Sequence, residues 1–295
     1  MQNASIYFKH PGKAIEGLVK HTGRIWPDKL YISTLYWIRF NKLLNWNAPK
    51  TFNEKLNWCK IYNRKDLYTQ MADKYTAKKL VAERIGNQYV VECYGVYSRW
   101  EEIDFSNLPE QFVLKCTHDS GGAFVCRDKN IFNYDAVRRQ VESNLKRNWF
   151  WIFREWPYKN IKPRIIVDHF LDDHTGTELR DYKFWCFNGI PTYMYCTIKG
   201  KNVFENFYDM DFNPVDLNHG FPRHTPEFEC PSQFNLMKCL AKELSQGIPF
   251  VRVDFFQVDN KVYFGEFTFY DWGGMVPFPN YQTDEMLGEL LELPK

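Results

Sequence analysis

The stretch VRVDFFQVDNKVYFGEFTF, residues 251–269, constrains the fold more than any other part of the chain. Two runs of apolar and aromatic residues flank a short polar turn, a pattern that predicts two antiparallel strands of a hairpin. Each run carries one acidic residue, Asp254 or Glu266, among apolar neighbours. Burying an isolated carboxylate costs free energy unless a cation or hydrogen bonds compensate it. The sequence therefore predicts an antiparallel sheet with two carboxylates that need a partner.

The length of the turn decides which faces of the hairpin these carboxylates occupy. A two-residue loop, Asp259–Asn260, would place them on opposite faces of a regular ladder. A three-residue loop would set Asp254 directly opposite Glu266, with Cα atoms roughly 4.5–5.5 Å apart. We expect a shared face, through an odd-length turn or a bulge, because a carboxylate pair without dedicated His or Cys suits Mg²⁺. The alternative is a structural ion pair, such as Asp254 with Arg252.

Helical and strand-like stretches follow one another along the rest of the chain. Helical patterns occur at residues 51–63, 71–86, 133–149 and 231–247, and further strand patterns at 88–98, 108–129, 163–173 and 179–198. Thr51 with Glu54 three residues later is typical of a capping box, and Gly86 of a helix end. The helix at 133–149 places Val137, Val141 and Leu145 on one apolar face. This mixed order predicts an α+β fold in which sheets carry helices on one face.

Charge is unevenly distributed along the chain. The whole chain has a net charge of +2, but residues 1–80 contain 15 Lys and Arg against 5 Asp and Glu. Such a basic region favours an anionic partner, either an acidic polymer or an anionic membrane surface. Nucleic acid is not expected, because no nucleic-acid-binding motif accompanies the charge. The alternative is a solvated helical surface without a partner.

Cysteine use and hydropathy indicate the compartment. The eight cysteines form no CxxC pair and lie mostly inside apolar runs, which favours reduced, buried thiols over a disulfide framework. No run of about 18 uncharged apolar residues is present, so a membrane-spanning helix is not expected. The first residues lack the apolar core of a signal peptide. We therefore expect a cytoplasmic protein, with the inner face of the cell membrane as an additional place of contact.

A lysine and a pair of glycines between two strand patterns suit phosphate binding. In FVLKCTHDSGGAF, Lys115 ends an apolar run and Gly121 and Gly122 follow six residues later. The ammonium neutralises phosphate charge, and glycine N–H groups approach the oxygens without a Cβ in the way. A glycine-containing hairpin turn without a ligand is the alternative. Lys183, flanked by aromatic residues in RDYKFWCFNG, is either a second such lysine or an edge lysine that reaches solvent.

Five phrases in order resemble the TupA-like family of the ATP-grasp superfamily: PKTFNEKLNW, DKYTAKKLVAERIG, FVLKCTHDSGG, RDYKFWCFNG and PFVRVDFFQVDNKVYFGEFTFY. The resemblance covers roughly residue 49 to the C-terminus. It implies an ATP-grasp fold, with two α+β subdomains that clamp a nucleotide. We expect a basic, mainly helical region over residues 1–80, a subdomain with the glycine loop over 81–165, and a subdomain with the acidic hairpin over 166–295.

The resemblance also implies roles for individual residues around ATP. Lys115 and Lys183 would contact the phosphates, with Ser120, Gly121 and Gly122 as a lid over them.

The strand around residue 168 would face adenine. Asp168 would lie near the N6 amino group, and the backbone of His169, Phe170 and Leu171 would contact the edge of the ring.

For the acidic hairpin, the resemblance implies that Asp254 and Glu266 hold Mg²⁺ and that Arg252 faces the acyl phosphate. Many ATP-grasp enzymes have Asn two residues after the metal-binding Glu, whereas this chain has Thr268. Thr268 is therefore the expected third ligand, through its hydroxyl group.

The implied activity is that of a carboxylate–amine ligase that uses ATP and Mg²⁺. A substrate carboxylate attacks the γ-phosphate to give an acyl phosphate and ADP, and an amine then displaces phosphate to leave an amide. Members of the family are associated with bacterial surface-polysaccharide gene clusters, such as those for capsule and O-antigen. The expected partners are therefore an amino acid and a glycan, or its lipid-linked intermediate, that contains a uronic acid.

Three other functions remain open from the sequence. The same site could serve an ATP-dependent kinase of a sugar or small molecule, or a protein that binds nucleotide or glycan without turnover. A glycosyltransferase is the third alternative. Its DxD motif has a counterpart in spelling at residues 209–211, but there DMD precedes FNP and is typical of a β-turn.

Overall fold

The computed structural model describes residues 11–120, 122–174, 179–198 and 203–294. The helices are α1 (Pro11–Thr22), α2 (Asp28–Phe40), α3 (Phe52–Tyr62), α4 (Asp66–Ala72), α5 (Lys74–Ile85), α6 (Tyr134–Leu145), α7 (Phe150–Phe153), α8 (Phe234–Ser245) and α9 (Tyr281–Leu290). The strands are β1 (Cys93–Tyr97), β2 (Phe112–Cys116), β3 (Ala123–Cys126), β4 (Ile165–His169), β5 (Asp181–Phe187), β6 (Ile190–Ile198), β7 (Phe204–Tyr208), β8 (Pro214–Val215), β9 (Phe250–Val258) and β10 (Lys261–Thr268).

Two antiparallel sheets organise these strands. The small sheet has four strands in the order β1-β4-β2-β3, and the large sheet has six in the order β10-β9-β5-β6-β7-β8. Helices and antiparallel sheets in one chain confirm the predicted α+β class. The division into regions 1–80, 81–165 and 166–295 stays a prediction. The strand that begins at Ile165, on the expected boundary, lies in the small sheet between β1 and β2.

The large sheet carries the main hydrophobic core, which is rich in aromatic side chains. Trp185 is fully buried, and its ring packs near those of Phe52, Phe250 and Phe278. Helices α3, α4 and α5 contribute buried residues to this same core, together with α8 and α9. The helical segment from Phe52 onward is thus packed on the large sheet.

Local signals set the ends of these helices as the sequence predicts. The Glu54 amide donates a hydrogen bond to Thr51 Oγ1 at 3.2 Å, and the Thr51 amide donates to Glu54 Oε2 at 3.2 Å. This reciprocal pair is the predicted capping box at the start of α3. At the other end of the segment, α5 stops at Ile85, and Gly86 follows with φ +110°, a conformation that favours glycine.

The small sheet has its own core, which α6 covers. Val141 is fully buried, and Val137 and Leu145 of the same helix are partly buried against this core, as the helical pattern predicts.

A third cluster joins the N-terminal helices to later parts of the chain. Tyr31 of α2 is fully buried and donates a hydrogen bond to the Ile152 carbonyl of α7 at 2.9 Å. Beside it, the buried Arg154 pairs with Asp28 at 2.8 Å. The N-terminal helices are therefore fixed against the segment that links the small sheet's α6 to β4.

The cysteines are all free, as predicted, and five of them are buried. The prediction that the cysteines are buried is wrong for Cys230 and Cys239, which are exposed. Both lie near or on α8, where the helix faces solvent between its buried positions. None of the described helices combines the length and the apolar character that crossing a membrane would require.

The β9–β10 hairpin has a two-residue turn and a bulge. Asp259 and Asn260 adopt φ of 49° and 60°, and Val258 pairs directly with Lys261, so a three-residue loop is the wrong alternative. The register then shifts between Phe264 and Phe267, where two residues oppose one on β9. Such a bulge adds one residue to β10, so the side chains after it point to the opposite face from the one that a two-residue turn and a regular ladder would give. It brings Glu266 to the face of Asp254, which confirms the expected shared face.

Candidate active site

A cleft of about 840 Å³ is lined by side chains from both sheets. Its described lining includes Arg39, Lys74, Lys78, Lys115, Ser120, Gly122, Trp149, Phe153, Glu155, Tyr158, Asp168, Asp181, Lys183, Arg252, Asp254, Glu266, Thr268, Tyr270, Trp272, Gly273 and Val276. Most of the residues proposed from the sequence are therefore brought to one place, although they are spread over more than 150 positions of the chain.

Arg252 holds the two hairpin carboxylates together. Its guanidinium contacts both oxygens of Asp254 at 2.7 Å and Glu266 Oε1 at 3.2 Å. Asp254 is buried, whereas Glu266 is partly exposed toward the cleft. Burial raises the pKa of Asp254 to about 6, although the charge of Arg252 opposes this shift. The structural ion pair and the shared face, which were alternatives from sequence, are both present.

A buried acid orients Arg252 from behind. Asp271, with no exposed surface, accepts a hydrogen bond from Arg252 Nη1 at 2.7 Å and lies 3.4 Å from His219 Nδ1. Burial alone would raise the pKa of Asp271, but Arg252 and His219 lower it to about 2. The Tyr195 hydroxyl completes this network at 3.2 Å from Arg252. Sequence reasoning missed Asp271, because one aspartate after the hairpin carries no signal of its own.

Lysines reach the cleft from the small sheet and from helix α5. Lys115 of β2 and Lys78 of α5 both contact Asp168, at 3.2 and 3.1 Å. Lys74, one turn earlier on α5, donates to the carbonyl of Asp119 and lies 3.9 Å from Glu266. Lys74 and Lys78 were missed from the sequence. Their spacing of four places them on one helix face, but lysines at that spacing also occur on ordinary solvated helices.

Lys183 enters from the large sheet. It is largely buried, it lies opposite Asp254 in the β5–β9 ladder, and it donates a hydrogen bond to Asp181 at 2.8 Å. Its strand lies between β9 and β6, so Lys183 is not on an edge strand. The alternative of an edge lysine is therefore wrong, because β5 pairs with β9 on one side and with β6 on the other. The pairing with β9 joins segments that are distant in the sequence.

The glycine loop joins β2 to β3 as expected. Lys115 pairs with Ala123 in this hairpin, and Ser120 and Gly122 line the cleft. Gly122 has φ +93°, a backbone conformation that residues other than glycine rarely adopt. Gly121 lies outside the described residues. The proposed lid over the phosphates stays a prediction.

The segment proposed to face adenine is only partly in the cleft. Asp168 lines the cleft, and its carboxylate is engaged by the two lysines described above. His169 is exposed and shares a 2.6 Å hydrogen bond with the Tyr94 hydroxyl. Phe170 is buried under the guanidinium of Arg127, and Leu171 follows it. These three residues are not among the described lining of the cleft, and their contact with adenine stays a prediction.

The donor set of the hairpin fits a magnesium ion shared with a nucleotide. Asp254 and Glu266 offer two carboxylates on one face, and Thr268, which pairs with Arg252 in the ladder, lines the same cleft. Within the described chain, no group of three or more His, Cys, Asp or Glu side chains is arranged to hold a metal by itself. Mg²⁺ commonly takes one or two protein carboxylates and completes its shell with phosphate oxygens and water.

The DMD sequence at residues 209–211 forms a turn in the structure. Asp209 accepts hydrogen bonds from the amides of Asp211 and Asn213, at 2.9 and 2.8 Å. Its carboxylate is thus used by its own loop, as the sequence interpretation predicts.

Solved structures match this chain at low sequence identity and low TM-score. The D-alanine–D-alanine ligase from Bacillus anthracis, complexed with ATP, shows 15% identity and a TM-score of 0.39 over 67% of this chain and 54% of the ligase chain. The enzyme from Helicobacter pylori shows 16% identity and a TM-score of 0.40 over 75% of this chain and 61% of the ligase chain. A RimK domain ATP-grasp protein from Sphaerobacter thermophilus shows 10% identity and a TM-score of 0.43 over 83% of this chain and 72% of that protein's chain.

This chain therefore spans less than two thirds of the length of the two D-alanine–D-alanine ligases. Among curated proteins, none is significantly similar in sequence. The family model of the TupA-like ATP-grasp proteins matches residues 54–292, which is most of the chain and includes every side chain that holds the hairpin carboxylates. The protein belongs to the TupA-like ATP-grasp family.

Proposed function

We propose that this protein is an ATP-dependent carboxylate–amine ligase that makes an amide through an acyl phosphate. One observation carries the proposal. Lys115 from the small sheet, Lys183 from the large sheet, and the carboxylates of Asp254 and Glu266 all line a single cleft. Cations on both walls suit the phosphates of a nucleotide, and paired carboxylates suit its metal ion.

The residues of the cleft act by position and charge. Lys115 and Lys183 neutralise phosphate oxygens, and Arg252 faces the phosphoryl group as it moves to the substrate carboxylate. Fixed charges of this kind stabilise a transition state in which negative charge is redistributed, so no protein nucleophile is required. Asp254, Glu266 and the Thr268 hydroxyl would hold Mg²⁺, which supplies further positive charge at the phosphates when bound.

The substrates we propose are a uronic acid carboxylate and an amino acid amine. The family's association with surface-polysaccharide genes supports a glycan as the carboxylate partner. The basic N-terminal region supports an anionic acceptor, either the glycan or its lipid-linked precursor.

The test is incubation of the protein with ATP, Mg²⁺ and pools of amino acids and uronic acids. We expect ADP release that requires one member of each pool, and a new amide in the mass spectrum. ADP release with a phosphorylated sugar and no amide would instead identify a kinase.

Glu266→Gln tests the role of the hairpin in the same assay. It removes one charge from the proposed metal site and keeps the shape of the side chain. We expect turnover to be lost while ATP binding, measured by calorimetry, is weakened much less. Unchanged turnover would remove Glu266 from the mechanism.

A further inference from the structure

Glu155 is a buried carboxylate in the wall of the cleft. It follows α7 and precedes the short helical turn Trp156–Tyr158, and only 6% of its surface is exposed. It lines the cleft together with Tyr158. Among the described residues, its carboxylate makes no hydrogen bond and no ion pair. A buried carboxylate without a direct partner is costly, so its retention in a cleft points to a ligand.

The other carboxylates of the cleft are already engaged. Each of the other carboxylates in the described lining forms an ion pair with a lysine or an arginine at 3.2 Å or less. These carboxylates are Asp168, Asp181, Asp254 and Glu266. Glu155 therefore differs from them, because it faces the cleft with its acceptor capacity unused within the described chain.

A buried lysine provides charge near Glu155 without binding it. Lys60, with no exposed surface, donates to Asn57 Oδ1 at 2.8 Å and to the Gly273 carbonyl at 2.5 Å. Burial raises the pKa of Glu155, although the positive charge of Lys60 opposes this shift. A buried carboxylate with a raised pKa takes up a proton more readily than an exposed glutamate does.

Glu155 shares its cleft with the residues proposed to act on the phosphoryl group and to hold the metal. Tyr158 lines the cleft together with Glu155 and Glu266, and its pKa is raised by burial and by the charges of these two carboxylates. Arg252, which faces the phosphoryl group in the proposed reaction, in turn lowers the pKa of Glu155. Glu155 and Arg252 thus line the same cleft, and Glu155 lies outside the hairpin that would hold the metal.

Aromatic side chains form part of the wall of the same cleft. Trp149, Phe153 and Trp272 all line it, and the built position of a Cβ on Gly273 would lie 2.7 Å from the Phe153 ring, so the wall is closely packed. Aromatic faces attract ammonium groups. A cleft wall that offers both this carboxylate and aromatic rings suits the cationic amine substrate better than an anionic carboxylate substrate.

We propose that Glu155 is the general base for the amine half of the reaction and binds the amine substrate as an ammonium ion. The proposal rests on the ligase function proposed above. Glu155 takes one proton from the ammonium group, which frees the nitrogen lone pair. The nitrogen forms a C–N bond to the acyl phosphate carbon, the C–O bond to phosphate breaks, and phosphate leaves with that electron pair. The second nitrogen proton passes to the departing phosphate.

Two nucleophiles that differ in protonation test this assignment. At pH 7 ammonia is almost entirely ammonium and needs a base, whereas hydroxylamine is largely neutral and attacks acyl phosphates directly. The assay supplies ATP, Mg²⁺, D-glucuronate and either ammonium chloride or hydroxylamine, and measures amide and hydroxamate by mass spectrometry. We expect Glu155→Gln to lower the rate of amide formation by about 100-fold or more, the usual contribution of a general base, and to leave hydroxamate formation unchanged.

Glu205→Gln is the matched control. Glu205 is also a buried carboxylate with a raised pKa, but it is not part of the described lining of the cleft. Both products should form at the wild-type rate in this variant. Equal loss of amide and hydroxamate in Glu155→Gln would show a structural role and overturn the proposal, as would an unchanged amide rate.

Glu155→Asp keeps the proposal testable if Glu155→Gln does not fold, which circular dichroism would show. It retains the charge near Lys60 but withdraws the carboxylate by one methylene group. We expect amide formation to fall more than hydroxamate formation, and equal effects would contradict the assignment. Failure of the wild-type protein to give hydroxamate is a separate result, since it would overturn the ligase proposal and this one with it.

Discussion

Lys115 shares the Asp168 carboxylate with Lys78, so its removal leaves that buried acid with one cation. We therefore expect Lys115→Ala to fold and to bind ATP at least about tenfold more weakly, because a hydrogen bond to a charged group is worth about 1.5–3 kcal/mol. Calorimetric titration with ATP measures this effect. Lys146→Ala is the control, since Lys146 is exposed just after α6 and is not part of the described lining of the cleft. Equal affinities of the two variants would exclude Lys115 from the phosphate site.

Glu205 makes stability depend on pH. Burial raises its pKa from an ordinary value of 4.5 to about 8, so between these values the folded state holds a proton that the unfolded state has lost. Its contribution to stability is therefore complete below about pH 4.5 and is lost as the pH rises through about 8. We expect Glu205→Gln to gain stability relative to the wild type between pH 5 and pH 9 in urea unfolding. A difference that is independent of pH would contradict the raised pKa.

The residues that line the cleft were predictable where a local pattern marks them, although their roles stay predictions. Lys115 and Lys183 stand out because each is a lysine inside an apolar strand pattern. Glu155 could not be found in this way, since it lies in an irregular segment and Lys60, whose charge acts on it, lies almost a hundred positions earlier. Lys74 looks like any helix lysine until the small sheet is placed beside α5.

At the scale of the element, Gly265 lies in the bulge of β10 and packs closely against Asp254. A Cβ on this glycine would lie 3.1 Å from the Asp254 carbonyl and 3.3 Å from the Asp254 Cβ. We expect Gly265→Val to crowd Asp254 and to lower the free energy of unfolding by about 1–3 kcal/mol, the usual cost of overpacking. Urea unfolding measures the change, and the ADP assay should show a loss of turnover. Gly17→Ala is the control, because a Cβ there meets nothing within 4 Å. Retained turnover in Gly265→Val would show that the bulge is not needed at the site.

The ends of the elements were predictable, but their assembly was only partly so. The capping box at Thr51 and the glycine after α5 act within a few residues, so the sequence displays them directly. The alternation of residues in β9 and β10 showed that Asp254 and Glu266 can share a face only if the turn has an odd length or one strand contains a bulge. The choice of the bulge depends on the close packing of Gly265 against Asp254, which is a tertiary contact. The order of strands in the two sheets likewise depends on pairings between distant segments.

At the scale of the whole molecule, the basic region is used in several ways. Lys60 is buried, Lys74 and Lys78 line the cleft, and Lys55 donates to two carbonyls at the end of α9. Arg39 pairs with Glu16 at 2.6 Å. The uneven charge of the sequence therefore does not correspond to one continuous binding surface. The binding of an acidic glycan or an anionic lipid surface outside the cleft stays a prediction.

The exposed lysines of this region allow a direct test. Lys20, Lys42 and Lys50 are exposed, whereas the side chain of Lys13 lies outside those described. We expect reversal of the three exposed charges to Glu to raise the KM for a polymeric acidic acceptor and to leave the KM for ATP nearly unchanged. The effect should shrink as salt rises, because exposed charges are screened beyond about 8 Å at physiological ionic strength. Unchanged use of the acceptor at low salt would leave the region as a solvated surface.

The bulge in β10 also affects how the protein behaves toward other copies of itself. β10 is the outermost strand of the large sheet, so its outer backbone groups have no neighbouring strand in that sheet. A long, regular edge of this kind is a template on which another chain can add a strand and begin aggregation. A bulge interrupts the spacing of the donors and acceptors and increases the local twist, which makes such addition unfavourable. The irregularity that brings Glu266 into the cleft is thereby also one that disfavours the addition of another strand at this edge.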